Sequence, residues 1–502
     1  MIRFFKIEGL VILFLFSGLA CSAQHKKENR PIIIFIMADD LGWQDVGFMG
    51  SKWFETANLD KLAKESLVFS NAYMYPMCSP SRAALMTGKQ SFRTGIYNVP
   101  VLEKGDNKHN IFSRWSVGLE HTMYAEPLKN AGYKLIHIGK WHLVGPDPEK
   151  EINYSFEKPL KQPANGNFDW LENHLTTEIQ KYYPKAKGFD ENVGGTWWGD
   201  PARGYTEGYN SESGGYKAPF KNPFIEDKDG DEWLTDRLTN EAIDFIKRNK
   251  NEPFFVNLHF YAPHRPTVPR NKEWLQKFMK KAPDSLTGQG ETNLEEIAGY
   301  ATMIASIDEN VQRIFDYLDK EGLRENTIVI FTSDNGFNGL QSNTNSLRGE
   351  KGTVYEGGIR VPAFVNWKGQ VAPGNSETPI CGMDYFPTFL ELAQVNDYHG
   401  KLDGESLVPL LKGETLKERA LFWHVASTYK NPPCSIIRKD EWKLIQFLLD
   451  GKVELYNLEK DLKEEYNLAD KNPEIASQLL DELKTWRKNN KVPLPPASLL
   501  PF

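Results

Sequence analysis

Pro31-Ile32-Ile33-Ile34-Phe35-Ile36-Met37 is an unbroken apolar run, and it leads straight into Ala38-Asp39-Asp40-Leu41-Gly42. A strand with one wet face would carry a polar residue at every second position. A continuous run is the pattern of a strand covered on both faces, as in a parallel sheet between helices, and it sets the fold class as α/β. Asp39 and Asp40 then fall at the carboxyl end of the strand, where open α/β sheets carry their sites. The same grammar returns at Thr327-Ile328-Val329-Ile330-Phe331-Thr332, which runs into Ser333-Asp334-Asn335-Gly336. Taken singly, Asp-Asp and Asp-Asn-Gly are ordinary turn formers after strands. Taken together they place hard oxygen donors at two strand ends. Adjacent carboxylates repel unless solvated or bridged by a cation, and oxygen donors without His or Cys favour calcium or magnesium over zinc.

The second informative stretch is Met77-Cys78-Ser79-Pro80-Ser81-Arg82-Ala83-Ala84-Leu85-Met86-Thr87-Gly88. A lone cysteine is commonly a small buried core residue. A Cys followed by Ser-Pro-Ser-Arg and then Thr-Gly resembles the signature of the type I, formylglycine-dependent sulfatases of the alkaline-phosphatase-like superfamily, in which that cysteine is oxidised to formylglycine. The resemblance implies a large mixed, mostly parallel sheet between helices with a smaller C-terminal α/β subdomain. It places a catalytic domain over 24–395 and the subdomain over 396–502, the seam following an apolar helix from Thr388 to Ala393. It also implies that Cys78 becomes a hydrated aldehyde, one hydroxyl attacking sulfur and the second expelling sulfate, with Arg82 orienting the diol. One Ca²⁺ per chain, with Mg²⁺ the second choice, would be held by Asp39, Asp40, residue 78, Asp334 and Asn335. A formylglycine-generating or anaerobic sulfatase-maturing enzyme is an implied partner.

Three further segments carry chemistry. Ala131-Gly132-Tyr133-Lys134-Leu135-Ile136-His137-Ile138-Gly139-Lys140-Trp141-His142-Leu143 reads as a glycine turn, a short strand and a loop that sets Lys140 and His142 on one side at i, i+2. His137 points back along the strand and reads as structural. Pro253 to Phe260 is another buried strand, in which His259 reads as packing. It ends at Tyr261-Ala262-Pro263-His264-Arg265-Pro266, where flanking prolines keep His264 out of a helix and make it a candidate to protonate a leaving oxygen. In Leu347 to Pro362 a glycine every few residues marks backbone brought close to a ligand or another loop. The sulfatase resemblance extends to Gly-Lys-Trp-His at 139–142 and to Lys-Gly-x-x-x-Glu-Gly-Gly-x-Arg-x-Pro at 351–362. It implies Lys140, His264 and Lys351 on the substrate sulfate, His264 as acid to the departing alcohol, His142 as base to the second hydroxyl, and a structural Arg360.

The start of the chain sets the compartment. Arg3 and Lys6 precede an apolar run, Leu10 to Phe16, and small residues through Ala23, the pattern of a signal peptide over residues 1–23 and of a periplasmic protein. Outer-membrane lipidation at Cys21, or secretion, is the alternative. No other stretch is apolar enough to span a bilayer. Four cysteines are too few for a disulfide scaffold, and pairing of Cys381 with Cys434 is left open. A net charge of −7 with both signs mixed argues against a nucleic-acid surface. Gly188 to Phe220, rich in Gly, Tyr and Trp, reads as an insertion over the pocket mouth or as a loop covering the core. The substrate class that fits is a sulfated polysaccharide or its oligosaccharides, algal (ulvan, carrageenan) or glycosaminoglycan. Two rival readings remain: a phosphodiesterase or phosphonate monoester hydrolase of the same superfamily, and a non-catalytic sulfated-glycan binding protein.

Overall fold

The computed structural model describes residues 30–145, 175–201, 215–284, 291–339 and 347–499, apart from the single positions 107, 221 and 229. The expected signal peptide over 1–23, with Cys21, lies outside the described residues.

Eight strands form the main sheet: β1 (Ile32–Ala38), β2 (Leu67–Phe69), β4 (Lys134–Gly139), β5 (Glu191–Val193), β6 (Phe254–His259), β7 (Thr327–Ser333), β9 (Ala363–Asn366) and β10 (Gly374–Ser376), in the spatial order β10-β2-β9-β7-β1-β6-β4-β5. Short strands β3 (Ala72–Tyr73), β8 (Arg360–Val361) and β11 (Ile380–Cys381) make a second, three-stranded sheet. In the main sheet only β9 runs against the rest. The alternation along β1 shows why its sequence is apolar throughout. Ile32, Ile34, Ile36 and Ala38 enter one core, with the long helix Glu291–Lys320 and the helix Leu234–Asn249. Ile33, Phe35 and Met37 enter the other, with the helices Cys78–Thr87 and Tyr385–Leu392. Both faces are dry, so neither parity can be polar.

The helix expected from Thr388 to Ala393 begins earlier, at Tyr385, and ends at Leu392. Pro387 falls in its first turn, where a proline loses no helical hydrogen bond. Beyond it, β12 (Leu421–Val425), β13 (Cys434–Lys439), β14 (Trp442–Phe447) and β15 (Val453–Asn457) form a separate antiparallel sheet in sequence order. The helix Pro473–Asn490 covers one face of it through Leu479 and Leu483, packed on Ile437, Leu444 and Leu455. Cys381 and Cys434 are free, buried thiols in the core on its other face. Among the described residues no helix is long and apolar enough to cross a membrane.

Candidate active site

The parallel register brings the functional segments together. Met37 is paired with both His259 and Thr332, Ala38 with Ser333, and Gly139 with His259. The loops leaving β7, β1, β6 and β4 therefore emerge side by side at one edge, and they carry Asp334-Asn335, Asp39-Asp40, His264 and Lys140-Trp141-His142. Backbone bonds pin them there: Asp334 N–H donates to Ala38 O at 3.1 Å and Lys140 N–H to His259 O at 2.9 Å. Asp40 and His142 both hold left-handed φ, 64° and 58°. Non-glycine residues in that region cost free energy and cluster where geometry serves function.

Cys78 is the first residue of a helix buried along its whole length, Cys78–Thr87, which ends on Gly88 at φ 63°. Its Sγ lies 3.7 Å from Asp39 Oδ1 and 4.0 Å from Asp40 Oδ1. Burial pushes the thiol up to about 12, against the pull of Lys140 and Lys351. Lys140 Nζ donates to Asp39 Oδ2 at 2.5 Å, and Lys351 Nζ reaches Asp40 at 2.6 and 2.7 Å. Burial, with Asp334 adjacent, raises Asp39 well above the carboxylate range. For Asp40 burial acts in the same direction, but Lys351, His264 and Lys140 outweigh it and hold the carboxyl low.

Arg82 lies one turn beyond Cys78 and is fully buried. Its Nε and Nη2 donate to Asp334 Oδ2 at 3.2 and 2.8 Å and its Nη1 to Lys140 O at 2.9 Å, with His259 Nδ1 at 3.2 Å. The guanidinium thus fixes the walls of the site. His142 is held neutral by burial and by Lys140 and Arg82, and its buried Nδ1 has no partner among the described residues. Burial, Lys351 and Lys140 likewise lower His264, whose Nε2 is 3.7 Å from Asp40 Oδ2.

The oxygen donors suit a hard divalent cation. Asp39, Asp40, Cys78 and His264 each present a ligand atom within 4.8 Å of the others. Asn335 Nδ2 donates to Asp40 Oδ1 at 2.8 Å, while its Oδ1 is buried without a partner among the described residues. A buried, orphaned amide oxygen is the feature a cation would satisfy. Asp334 gives Oδ2 to Arg82 and Oδ1 to the Asp40 N–H at 3.1 Å.

Lys351 reaches the site from a loop whose glycines serve close approach. Lys351 N–H donates to Phe337 O at 2.8 Å and Gly352 N–H to Pro76 O at 2.7 Å. A Cβ on Gly336 would meet Gly357 O at 1.9 Å. The C-terminal sheet holds the loop from outside. Arg348 donates to Tyr456 Oη and Glu464 O, both at 2.8 Å, and Lys443 Nζ lies 2.9 Å from both Glu356 and Glu464. Arg360 is spent on Glu356, Ser70 O and Asn71.

His137 is bonded to Gly139 O and Asn257, away from the cluster. His259 does more than pack, since its Nδ1 faces Arg82. The segment Thr196–Asp200 of the aromatic-rich stretch lies against both site histidines, and residues 202–214 of that stretch are outside the described residues. Asp200, which no sequence pattern marks, reaches His264 Nδ1 at 3.1 Å.

A family model described as Sulfatase matches residues 31–395, and one described as N-sulphoglucosamine sulphohydrolase, C-terminal, matches 349–489. A protein named Sulfatase from Formosa agariphila is 30% identical, with 96% of this chain and 94% of that one aligned. The uncharacterized sulfatase YdeN of Escherichia coli (strain K12) is 29% identical over 94% of this chain and 88% of its own. Among solved structures, Ps i-CgsB in complex with k-i-k-neocarrahexaose superposes with a TM-score of 0.68 at 26% identity, covering 93% of this chain and 94% of that one. A family match running from the first strand of the main sheet to the approach of the C-terminal sheet places this chain in the sulfatase family, among the sulfuric ester hydrolases.

Proposed function

We propose that the chain hydrolyses sulfate esters of a sulfated polysaccharide or its oligosaccharides, using a formylglycine made from Cys78 by a maturing enzyme. The observation that carries this is where residue 78 sits, on the first turn of a buried helix with its Sγ 3.7 Å from Asp39 Oδ1 and 4.0 Å from Asp40 Oδ1. Buried and pushed up to about 12, an unconverted Cys78 is a protonated thiol and a poor nucleophile, although everything around it is arranged for reaction. Formylglycine supplies a hydrated aldehyde as nucleophile, and Ca²⁺ held by Asp39, Asp40, residue 78, Asp334 and Asn335 supplies charge neutralisation for sulfate oxygens.

The remaining chemistry falls to the chain's own side chains. Lys140 and Lys351, both cationic and buried, hold sulfate oxygens where charge spreads in the transition state. Arg82 adds positive charge and fixes Asp334 and the backbone of Lys140. His142, neutral and with an Nδ1 that has no partner among the described residues, takes a proton from residue 78 to release sulfate. His264 gives a proton to the departing alcohol. A bound sulfate ester brings negative charge against this imidazole, the sign that favours its protonated form.

A substrate of carbohydrate class is supported by the neocarrahexaose bound to Ps i-CgsB and by export in the sequence reading, which points to the periplasm. The test is mass spectrometry of the Cys78 peptide from naturally matured protein, followed by sulfate release from carrageenan, ulvan and glycosaminoglycan oligosaccharides. Conversion lowers the peptide by about 18 Da, as CH₂SH becomes CHO. An intact thiol in active protein overturns the nucleophile, and faster turnover of aryl phosphates than aryl sulfates overturns the sulfate ester as substrate.

A further inference from the structure

The stretch Thr196-Trp197-Trp198-Gly199-Asp200 touches both imidazoles of the site. His142 N–H donates to Thr196 O at 3.0 Å. A Cβ on Gly199 would come within 2.7 Å of His142 Cε1, so the backbone itself lies on that ring. One residue later, Asp200 Oδ1 is 3.1 Å from His264 Nδ1, with the two side chains 14% and 10% exposed. His264 Nδ1 also lies 2.6 Å from Arg265 O. A carbonyl oxygen can only accept, so this nitrogen carries the hydrogen and donates it to Arg265 O, and the Asp200 carboxylate lies beside it as an ion-pair partner. With Nδ1–H committed to Arg265 O and the Asp200 carboxylate alongside, turning the ring over or changing its tautomer loses the bond and the charge contact. Nε2 is left facing Asp40 and the reaction centre.

We propose that Asp200 is a positioning residue for His264, holding the imidazole so that Nε2 delivers its proton to the leaving oxygen. This rests on His264 being the general acid of the proposed function. In the step, the bond from sulfur to the leaving oxygen breaks and its electron pair stays on that oxygen. The Nε2 proton moves onto it, and His264 is left neutral with hydrogen on Nδ1. Asp200 touches neither substrate nor the reacting atoms. Its contribution is orientation, which matters in proportion to how much the leaving group needs a proton.

That dependence supplies the test. Matured wild type, Asp200→Ala, Asp200→Asn and His264→Ala are compared on 4-nitrophenyl sulfate, whose leaving group departs without a proton, and on phenyl sulfate, which needs one. Asp200→Ala is expected to lose roughly 100-fold in kcat on phenyl sulfate and under about 3-fold on 4-nitrophenyl sulfate, with KM little changed. Asp200→Asn, which keeps the side-chain oxygen but not the charge, is expected to fall between Asp200→Ala and wild type. Equal losses on both substrates, or no loss on phenyl sulfate, overturn the role of Asp200 when His264→Ala itself is selective. If His264→Ala loses both activities equally, the acid assignment of His264 fails, and the role of Asp200 with it.

Discussion

Lys443→Met is the substitution that most directly tests how the C-terminal sheet supports the site. Lys443 Nζ is 2.9 Å from Glu356 Oε1 and 2.9 Å from Glu464 Oε1, and all three side chains are 1% exposed or less. Glu356 has other partners, Arg360 Nη1 at 3.1 Å and Tyr73 Oη at 2.9 Å. Among the described residues, Glu464 Oε2 accepts only a neutral N–H, that of Glu356, at 2.7 Å. Methionine matches the length of the lysine stem but removes the ammonium, so that at about pH 8.5, where Glu464 is ionised in wild type, the variant is left with an uncompensated carboxylate buried beside Glu356. Breaking a buried pair from one side costs about 3–5 kcal/mol. For a chain of about 500 residues the unfolding entropy is on the order of 1 kcal/mol/K, so the melting temperature should fall by about 4 °C. Adding Glu464→Gln removes the stranded charge and should recover part of that loss, a coupling of about 1–3 kcal/mol. Because Glu356 opens the short helix that follows the Lys351 loop, kcat at a temperature where both proteins are folded should fall as well. Calorimetric melts of the single and double variants decide it. A Lys443→Met protein melting within about 1 °C of wild type, or a double variant no better than the single, would refute the reasoning.

What could be read in the sequence follows from which forces act locally. The runs at 31–37 and 327–332 were legible as strands because burial on both faces removes polar residues from both parities, a signature needing no knowledge of partners. The carboxylates behind them were legible for the same reason, since a strand end is a position in the sequence. Contacts made by side chains across the sheet edge leave no such trace. His259 looked like packing because its strand is buried, yet its Nδ1 meets Arg82 across 177 residues of chain. Asp200 sits in a stretch without period, and only the turn that lays Gly199 on His142 brings it to His264. The glycines at 349–358 correctly announced close backbone approach. That the outer side of the loop is tied to β14, β15 and the turn carrying Glu464 depends on pairings more than 80 residues apart, to which no local pattern is sensitive.

Three other outcomes follow from the same geometry. Burial pushes Glu464 up to about 7, so the folded chain keeps a proton there that the unfolded chain releases in the ordinary glutamate range. The stability this adds is full below that range and is lost as pH rises through about 7, and Glu464→Gln should flatten that part of a urea-denaturation series between about pH 5 and 8. Asp308 caps the helix Ala57–Lys64 from outside, accepting from Leu59 N–H at 2.7 Å and Asn58 N–H at 3.2 Å, because the side chain of Thr56 makes no capping bond. Asp308→Ala should cost about 1–3 kcal/mol and speed amide exchange over residues 57–64, and unchanged exchange would count against the cap. The third concerns the orphaned Asn335 Oδ1. In metal-free protein Asn335→Ala loses the bonds from Nδ2 to Asp40 Oδ1 and Gly336 O, a cost present with or without calcium. If Oδ1 is a ligand, calcium stabilises wild type more than the variant, since a cation bound only to the folded state adds RT ln(1 + [L]/Kd), about 2.7 kcal/mol at a hundredfold excess over Kd. Divided by the unfolding entropy above, that is about 3 °C, so the gap between wild-type and variant melting temperatures should widen by up to that amount on going from chelator to excess calcium. A gap of the same size in both conditions would remove Asn335 from the ligand set and leave its oxygen unexplained.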